Sequence, residues 1–227
     1  MQKKQSLKSQ AFIAAPLSKI ELASTPPISA QQSNQFHLPK VSFFSELVRS
    51  PTSIGAICAS SKRLGARIAE NIDFQKGGWV VELGGGTGAI TRALLLHGIP
   101  ASKLIVLEKS HHFAAHLRNC FPSIRVMQGD AADIDLILEG EGPVSTVVSG
   151  LPLRSLQKCK VSDITAACVR ILPYSGRLVQ FTYAPYGISP WAKAGLEKRA
   201  SQIVWRNFPP ARIEVFSRCE VCKVGVV

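Results

Sequence analysis

Between residues 79 and 182 the chain alternates short apolar runs with segments of helical period. Trp79–Leu83, Leu104–Leu107, Ile124–Gln128 and Val144–Val148 are the mainly apolar runs, and each closes on a turn carrying a glycine or a polar side chain. Runs of this length read as strands. A fifth strand ends at Gln180-Phe181-Thr182, and the segments Ile203–Arg206 and Arg212–Glu220 read as a closing pair. Ala89–Leu96 has the period of a helix, and a second helix is expected near Lys62–Ile72, with Leu64, Ile68 and Ile72 on one face. Strands alternating with helices predict an α/β chain built on a parallel sheet.

The chemistry sits where those strands stop. Val81-Glu82-Leu83-Gly84-Gly85-Gly86-Thr87-Gly88 joins the first run to the first helix. Glycines there let the backbone approach a ligand that any Cβ would obstruct, and the helix start offers unpaired N–H groups. The spacing is Glu-x-Gly-x-Gly-x-Gly, which is neither the dinucleotide fingerprint nor a P-loop. A carboxylate two residues before the first glycine suits a ligand carrying an amine, such as S-adenosylmethionine. The second run ends in Glu108, where an α/β nucleotide site holds ribose hydroxyls. The third ends in Gly129-Asp130, placed to accept from an adenine amino group, and the fourth in Ser149-Gly150-Leu151-Pro152. Ligands of parallel sheets bind outside the carboxyl ends of the strands.

Composition narrows the class. The 227 residues suffice for one α/β domain, and 46% are hydrophobic. No apolar run reaches the 18 or so residues that spanning a bilayer takes. Six cysteines are scattered rather than set as a framework, which points to a reducing, cytoplasmic setting; Cys219 and Cys222 alternate along a strand pattern and read as filler. His111, His112 and His116 read as a solvated helix face, so no metal is expected. A balance of 27 basic to 15 acidic residues, a net charge of +12, favours anionic partners. Residues 1–40 are rich in Ser, Gln, Lys and Pro and read as a flexible basic tail; a transit peptide has similar composition. Over 41–50, Val41, Phe43, Phe44, Leu47 and Val48 fall on one side of a short amphipathic helix that Pro51 ends. That face either lies in a membrane interface or packs on the domain itself.

Taken together these pieces resemble the class I S-adenosylmethionine-dependent methyltransferases, through VVELGGGTGAIT, LIVLE, QGDA and VVSGLP. Within them the chain is similar to the bacterial phospholipid N-methyltransferases, through the segments from Ser50-Pro51 to Ser60-Ser61, Val148–Leu153, Gln180–Tyr183 and Arg206–Ala211. The resemblance covers residues 43 to about 218 and implies a Rossmann-like α/β fold. It would have seven strands, mostly parallel, helices on both faces, and one antiparallel edge strand near the C-terminus. Residues 41–227 would form the methyltransferase domain. The resemblance also implies that Glu82, Gly84, Gly86 and Gly88 cradle the methionine end of S-adenosylmethionine. Glu108 would take the ribose, Asp130 and the backbone at Ala131 the adenine, and Ser149 would lie at the same strand edge, while Ser60 and Ser61 close over the site.

The implied acceptor is the amine of phosphatidylethanolamine, methylated stepwise by an enzyme held peripherally on the inner, anionic face of the cell membrane. Leu151 and Pro152 belong to the transfer motif, and the rings of Tyr183 and Tyr186 either face the cationic headgroup or simply pack. Arg206 or Lys62 either takes the lipid phosphate or is surface charge alone. Two positions depart from the family. Gly85 replaces a usual proline, which should loosen the loop, and Arg154 puts a cation beside the transfer site. The main rival is the rRNA adenine N6-dimethyltransferases, which share the loop and the basic charge. Their transfer motif carries a carboxamide or carboxylate before Leu-Pro and an aromatic ring after it, whereas this chain has Gly150-Leu151-Pro152-Leu153. Nucleic acid is therefore the less favoured partner. A methyltransferase for another small amine or lipid, and a non-catalytic cofactor-binding module, complete the alternatives.

Overall fold

The computed structural model describes residues 63–72, 77–183, 186–205 and 210–218. The tail 1–40, the helix expected over 41–50, Ser60, Ser61, Lys62, Arg206 and the Cys219–Cys222 pair lie outside the described residues. Seven strands make one sheet: β1 (Trp79–Leu83), β2 (Leu104–Glu108), β3 (Arg125–Gln128), β4 (Val144–Ser149), β5 (Arg177–Thr182), β6 (Leu196–Val204) and β7 (Ala211–Arg218). Their spatial order is β3-β2-β1-β4-β5-β7-β6. The first five are parallel, and β7 runs antiparallel to both β5 and β6. The order reverses at β1, between β2 and β4, which is where a doubly wound sheet opens a crevice for a ligand.

Helices cover both faces because the central strands are apolar on both sides. Successive strand residues point oppositely. Val80, Val106, Val148 and Val179 therefore pack under α1 (residues 63–69), α2 (Ala89–Leu96) and α3 (His111–Cys120), against Leu64, Ile68, Leu94 and Leu117. Val81, Ile105, Val147 and Leu178 pack under α4 (Ile134–Ile137), α5 (Lys158–Ile171) and α6 (Pro190–Lys193), against Ile134, Ile164, Cys168 and Trp191. Burial pushes the Cys168 thiol up to about 12, so it stays protonated and serves as core. The expected helix face of Leu64, Ile68 and Ile72 is buried as its spacing requires.

The C-terminal pair differs from expectation. The antiparallel strand is not at the edge: β7 inserts between β5 and β6, and β6 is the edge strand. β7 buries Ile213, Val215 and Phe216, whereas residues 197–203 of β6 are exposed. That stretch, Glu197-Lys198-Arg199-Ala200-Ser201-Gln202-Ile203, has almost no apolar signal, so sequence patterning caught only its end. A charged, bulged edge of this kind discourages pairing with another chain.

Candidate active site

The glycine loop is fixed at both ends. Gly84 N–H donates to the Leu107 carbonyl at 2.8 Å, tying the end of β1 to β2. Gly88 caps α2 at φ +78°, and a Cβ there would sit 2.4 Å from the Phe121 ring. Both the left-handed backbone and the close contact require glycine. Gly84 (φ +76°) and Gly86 (φ +51°) also adopt positive φ. Gly85 does not loosen the loop as its departure from proline suggested. A Cβ at Gly85 would lie 2.4 Å from Val106 Cγ1 and 2.8 Å from Leu117 Cδ1, both in the core, so packing holds this residue to glycine.

Three acids end up at the carboxyl edge with different surroundings. Glu82 is 2% exposed and accepts from the Thr91 hydroxyl of α2 at 2.7 Å. Desolvation lifts its carboxyl to about 8, against the lowering effect of Thr91. Glu108 accepts from Gly86 N–H at 2.9 Å through one oxygen and from Ser110 N–H at 2.8 Å through the other. Each oxygen keeps a second lone pair, and the residue lines a cleft beyond β2. Asp130 caps the short turn Ala131–Asp133, accepting from Ala132 N–H at 3.0 Å. Its other oxygen meets Lys109 at 3.0 Å and Lys160 at 2.9 Å. Partial burial raises the Asp130 carboxyl, but the Ala132 N–H and the two ammonium groups outweigh it and hold it at about 2. Asp130 is thus already engaged by two lysines that sequence reading did not single out.

The cleft has a volume of about 150 Å³, and Gly84, Glu108, Asp130, Ala131, Leu151 and Pro152 are all in its lining. Leu151 and Pro152 also line a second cavity of about 160 Å³ over the ends of β4, β5 and β7, with Tyr183, Gln180 and Glu214. Leu151 and Pro152 therefore line both cavities and stand between them. Glu82 and Ser149 face neither. Ser149 is buried at the tip of β4, and its Oγ has no hydrogen-bond partner among the described residues.

Around the second cavity, Tyr183 is half-buried, its ring edge-on to Phe181 with centroids 6.3 Å apart. Tyr186 is 84% exposed and does not line the cavity. Arg154 is not held ready for an anion: it donates to the carbonyls of Tyr186 at 2.6 Å and Ile188 at 3.4 Å, strapping down the turn after β5. Gln180, which the sequence marked only as part of the fifth strand and of the Gln180–Tyr183 segment, accepts from Trp191 Nε1 at 2.8 Å and donates to the Leu151 carbonyl at 3.4 Å. One side chain so ties β5, the transfer loop and α6 together. A lone amide inside Leu178-Val179-Gln180-Phe181 is the signal that marks it. His111, His112 and His116 lie on the exposed side of α3, and His116 neighbours Cys120, with 3.6 Å between Nε2 and Sγ. Among the described residues no group of three or more His, Cys, Asp or Glu is placed to hold a metal ion.

A seven-stranded sheet reversing at β1, with a glycine loop and the Glu108 carboxylate at the switch point, defines the Rossmann-like fold of the class I methyltransferases. The magnesium protoporphyrin IX methyltransferase of Synechocystis PCC 6803, solved with bound S-adenosylmethionine, superposes with a TM-score of 0.58 at 13% identity, covering 79% of this chain and 92% of that one. No family model matches the chain. An ornithine lipid N-methyltransferase from Singulisphaera acidiphila is 32% identical over 174 residues, 74% of this chain and 91% of that protein. The ribosomal RNA small subunit methyltransferase A of Azorhizobium caulinodans is 36% identical, but over 44% of this chain and only 35% of its own length. The chain belongs to the family of S-adenosylmethionine-dependent N-methyltransferases represented by the Singulisphaera lipid enzyme. Its cofactor is S-adenosylmethionine.

Proposed function

We propose that this enzyme methylates the amine of phosphatidylethanolamine and of its partly methylated forms, working peripherally on the anionic inner face of the cell membrane. The observation that carries the reading is its similarity to a lipid N-methyltransferase along 91% of that protein, whereas the RNA methyltransferase match spans 35%. A basic surface of net charge +12 supports attraction to an anionic membrane. Among the described residues no helix is long and apolar enough to cross a membrane.

When bound, S-adenosylmethionine supplies a sulfonium-activated methyl group, so the protein's task is mostly to place a neutral amine in line with it. In this reading Gly84, Gly86 and Gly88 leave backbone room for the cofactor's methionine end. Glu82, held protonated by burial and bonded to Thr91, backs that loop from the core, Glu108 holds the ribose hydroxyls, and Asp130 with the Ala131 backbone holds the adenine. The fit is supported by the open lone pairs of Glu108 and by the common cleft of Glu108, Asp130 and Ala131. Ser149 would orient groups at the tip of β4. Across the Leu151-Pro152 wall, the Tyr183 ring would face the ammonium, with Tyr186 at the rim nearer the lipid surface. A narrow cavity strips water from the amine and lowers its pKa, which favours the nucleophilic form.

The test is transfer of labelled methyl groups from S-adenosylmethionine to liposomes of phosphatidylethanolamine and an anionic lipid, with total RNA in a parallel reaction. Label in mono- and dimethylated phosphatidylethanolamine is the expected result. Label in RNA would move the enzyme to the adenine dimethyltransferases, and label in neither would leave the acceptor open among other lipid and small amines.

A further inference from the structure

One face of α5 is left uncovered along three turns. Lys158, Val161, Thr165 and Val169 recur at intervals of three and four, with Ala166 and Arg170 beside them, so together they form a stripe about 18 Å long. The stripe is the floor of a groove of about 850 Å³, walled by Leu153 and Leu156 on one side and by Ile188 and Pro190 on the other. Val161 and Val169 are half-buried, Leu156 is 37% exposed and Ile188 72%, so the apolar surface of the groove meets water. By donating to the Tyr186 and Ile188 carbonyls, Arg154 holds that turn at the lip.

The charge of the groove is one-sided, for no acid is among the described residues that line it. Of its cations, Arg170 is neutralised by Asp135 at 2.6 Å and Arg154 is occupied by the two carbonyls. That leaves Lys158 and Lys193, both exposed, at the rim. An apolar groove with a cationic rim is complementary to a molecule that joins a hydrocarbon chain to an anionic group. The groove also shares Leu153, Arg154 and Pro190 with the cavity over the ends of β4, β5 and β7, where the proposed function places the acceptor amine. That cavity, about 160 Å³, is smaller than the roughly 300–1,000 Å³ that encloses a drug-sized ligand, whereas the groove falls inside this range. A headgroup fits the cavity and a whole lipid does not, so the chain needs an apolar surface that starts beside it. We infer that the α5 groove seats an acyl chain of the acceptor lipid, with Lys158 and Lys193 facing its phosphate. Lys158 follows Leu156 by two residues and Lys193 lies one turn beyond Pro190, near the residues that the two cavities share. The chain's own residues 40–50 suit the groove less well: they carry two cations to one acid, and a cationic rim repels a segment of net positive charge.

The assignment rests on the lipid-amine function proposed above, and the experiment separates the two. Single-chain phosphatidylethanolamines of increasing chain length, each below its micelle concentration, are titrated by calorimetry into the wild type and into Ala166→Trp, whose ring would fill the groove from an exposed position on α5. Glycerophosphoethanolamine, which has no chain, is the headgroup control. Each methylene that enters the groove should raise wild-type affinity up to about fourfold. In Ala166→Trp the affinity should stay level with chain length, while binding of glycerophosphoethanolamine and S-adenosylmethionine matches the wild type. Equal chain-length dependence in both proteins would overturn the groove and leave the lipid function intact. A wild type that neither binds nor methylates any of these lipids would fail the lipid function, and the groove with it. A wild type indifferent to chain length would overturn the groove alone. If Ala166→Trp then also unfolds at lower temperature than the wild type, the groove belongs to residues 40–50 of the chain itself. Should Ala166→Trp not fold, Ile188→Ser at the lip is the second variant. A KM that falls less steeply with chain length than in the wild type would support the assignment, and an unchanged dependence would overturn it.

Discussion

The two halves of the sheet edge are built by different means. Over β1 and β2 the ligand-facing groups come from residues close in sequence: a glycine loop, then a carboxylate twenty residues on, joined by the Gly86 N–H to Glu108 bond. Over β4, β5 and β7 they come from residues far apart, brought together by strand order. Gln180 and Glu214 meet only because β7 inserts beside β5, and Trp191 locks Gln180 from a third element. The cofactor half is thus a local device, and the acceptor half depends on how the sheet closes.

Glu82 offers the largest effect on the cofactor half. Its folded carboxyl is raised to about 8 by burial, above the 4.5 of an ordinary exposed glutamate. Stability tied to this group is fully present below pH 4.5 and is lost as pH rises through 8. Glu82→Gln removes that loss, so stability measured by denaturant unfolding should gain several kcal/mol relative to the wild type at pH 8.5 and little at pH 4.5. A pH-independent difference would contradict the buried, proton-binding state.

Two further changes probe the loop and its anchor. Glu108→Ala should raise the cofactor dissociation constant about 10- to 100-fold, the worth of hydrogen bonds to a charged group, as read by calorimetry. Gly85→Ala should destabilise the fold by about 1–3 kcal/mol, because its methyl group overpacks Val106 and Leu117. A neutral Gly85→Ala in thermal unfolding would mean the loop is looser than its contacts indicate.

The smallest effect sharpens the contrast from the other side. Tyr183→Ala should slow methyl transfer about 3- to 30-fold through loss of a ring facing the ammonium, with cofactor affinity unchanged. Equal losses in transfer and cofactor binding would make Tyr183 a packing residue.

The same contrast governs what the sequence could reveal. β1 and α2 were legible to the residue and β2 to within one, because a strand buried on both faces reads as an apolar run and a glycine-rich turn marks its end. The third and fourth strands were legible to within a residue. The position of β7 was not, since strand order is a tertiary property and β6 hides in polar residues. At the site, Glu108 and Asp130 announced themselves by ending strands. The lysines on Asp130, the grip of Arg154 on the 186–188 turn, and Glu214 did not, because each depends on a partner far along the chain. Gly85 shows the reverse case: read locally it loosens a loop, and in the fold it fills a gap left for no side chain.

The most direct test of this division is calorimetric titration of S-adenosylmethionine into Glu108→Ala and Tyr183→Ala side by side. A large loss of affinity in the first with wild-type affinity in the second is the predicted result. Equal affinities in the two variants would contradict it, and would mean that cofactor and acceptor are not held by separate halves of the edge.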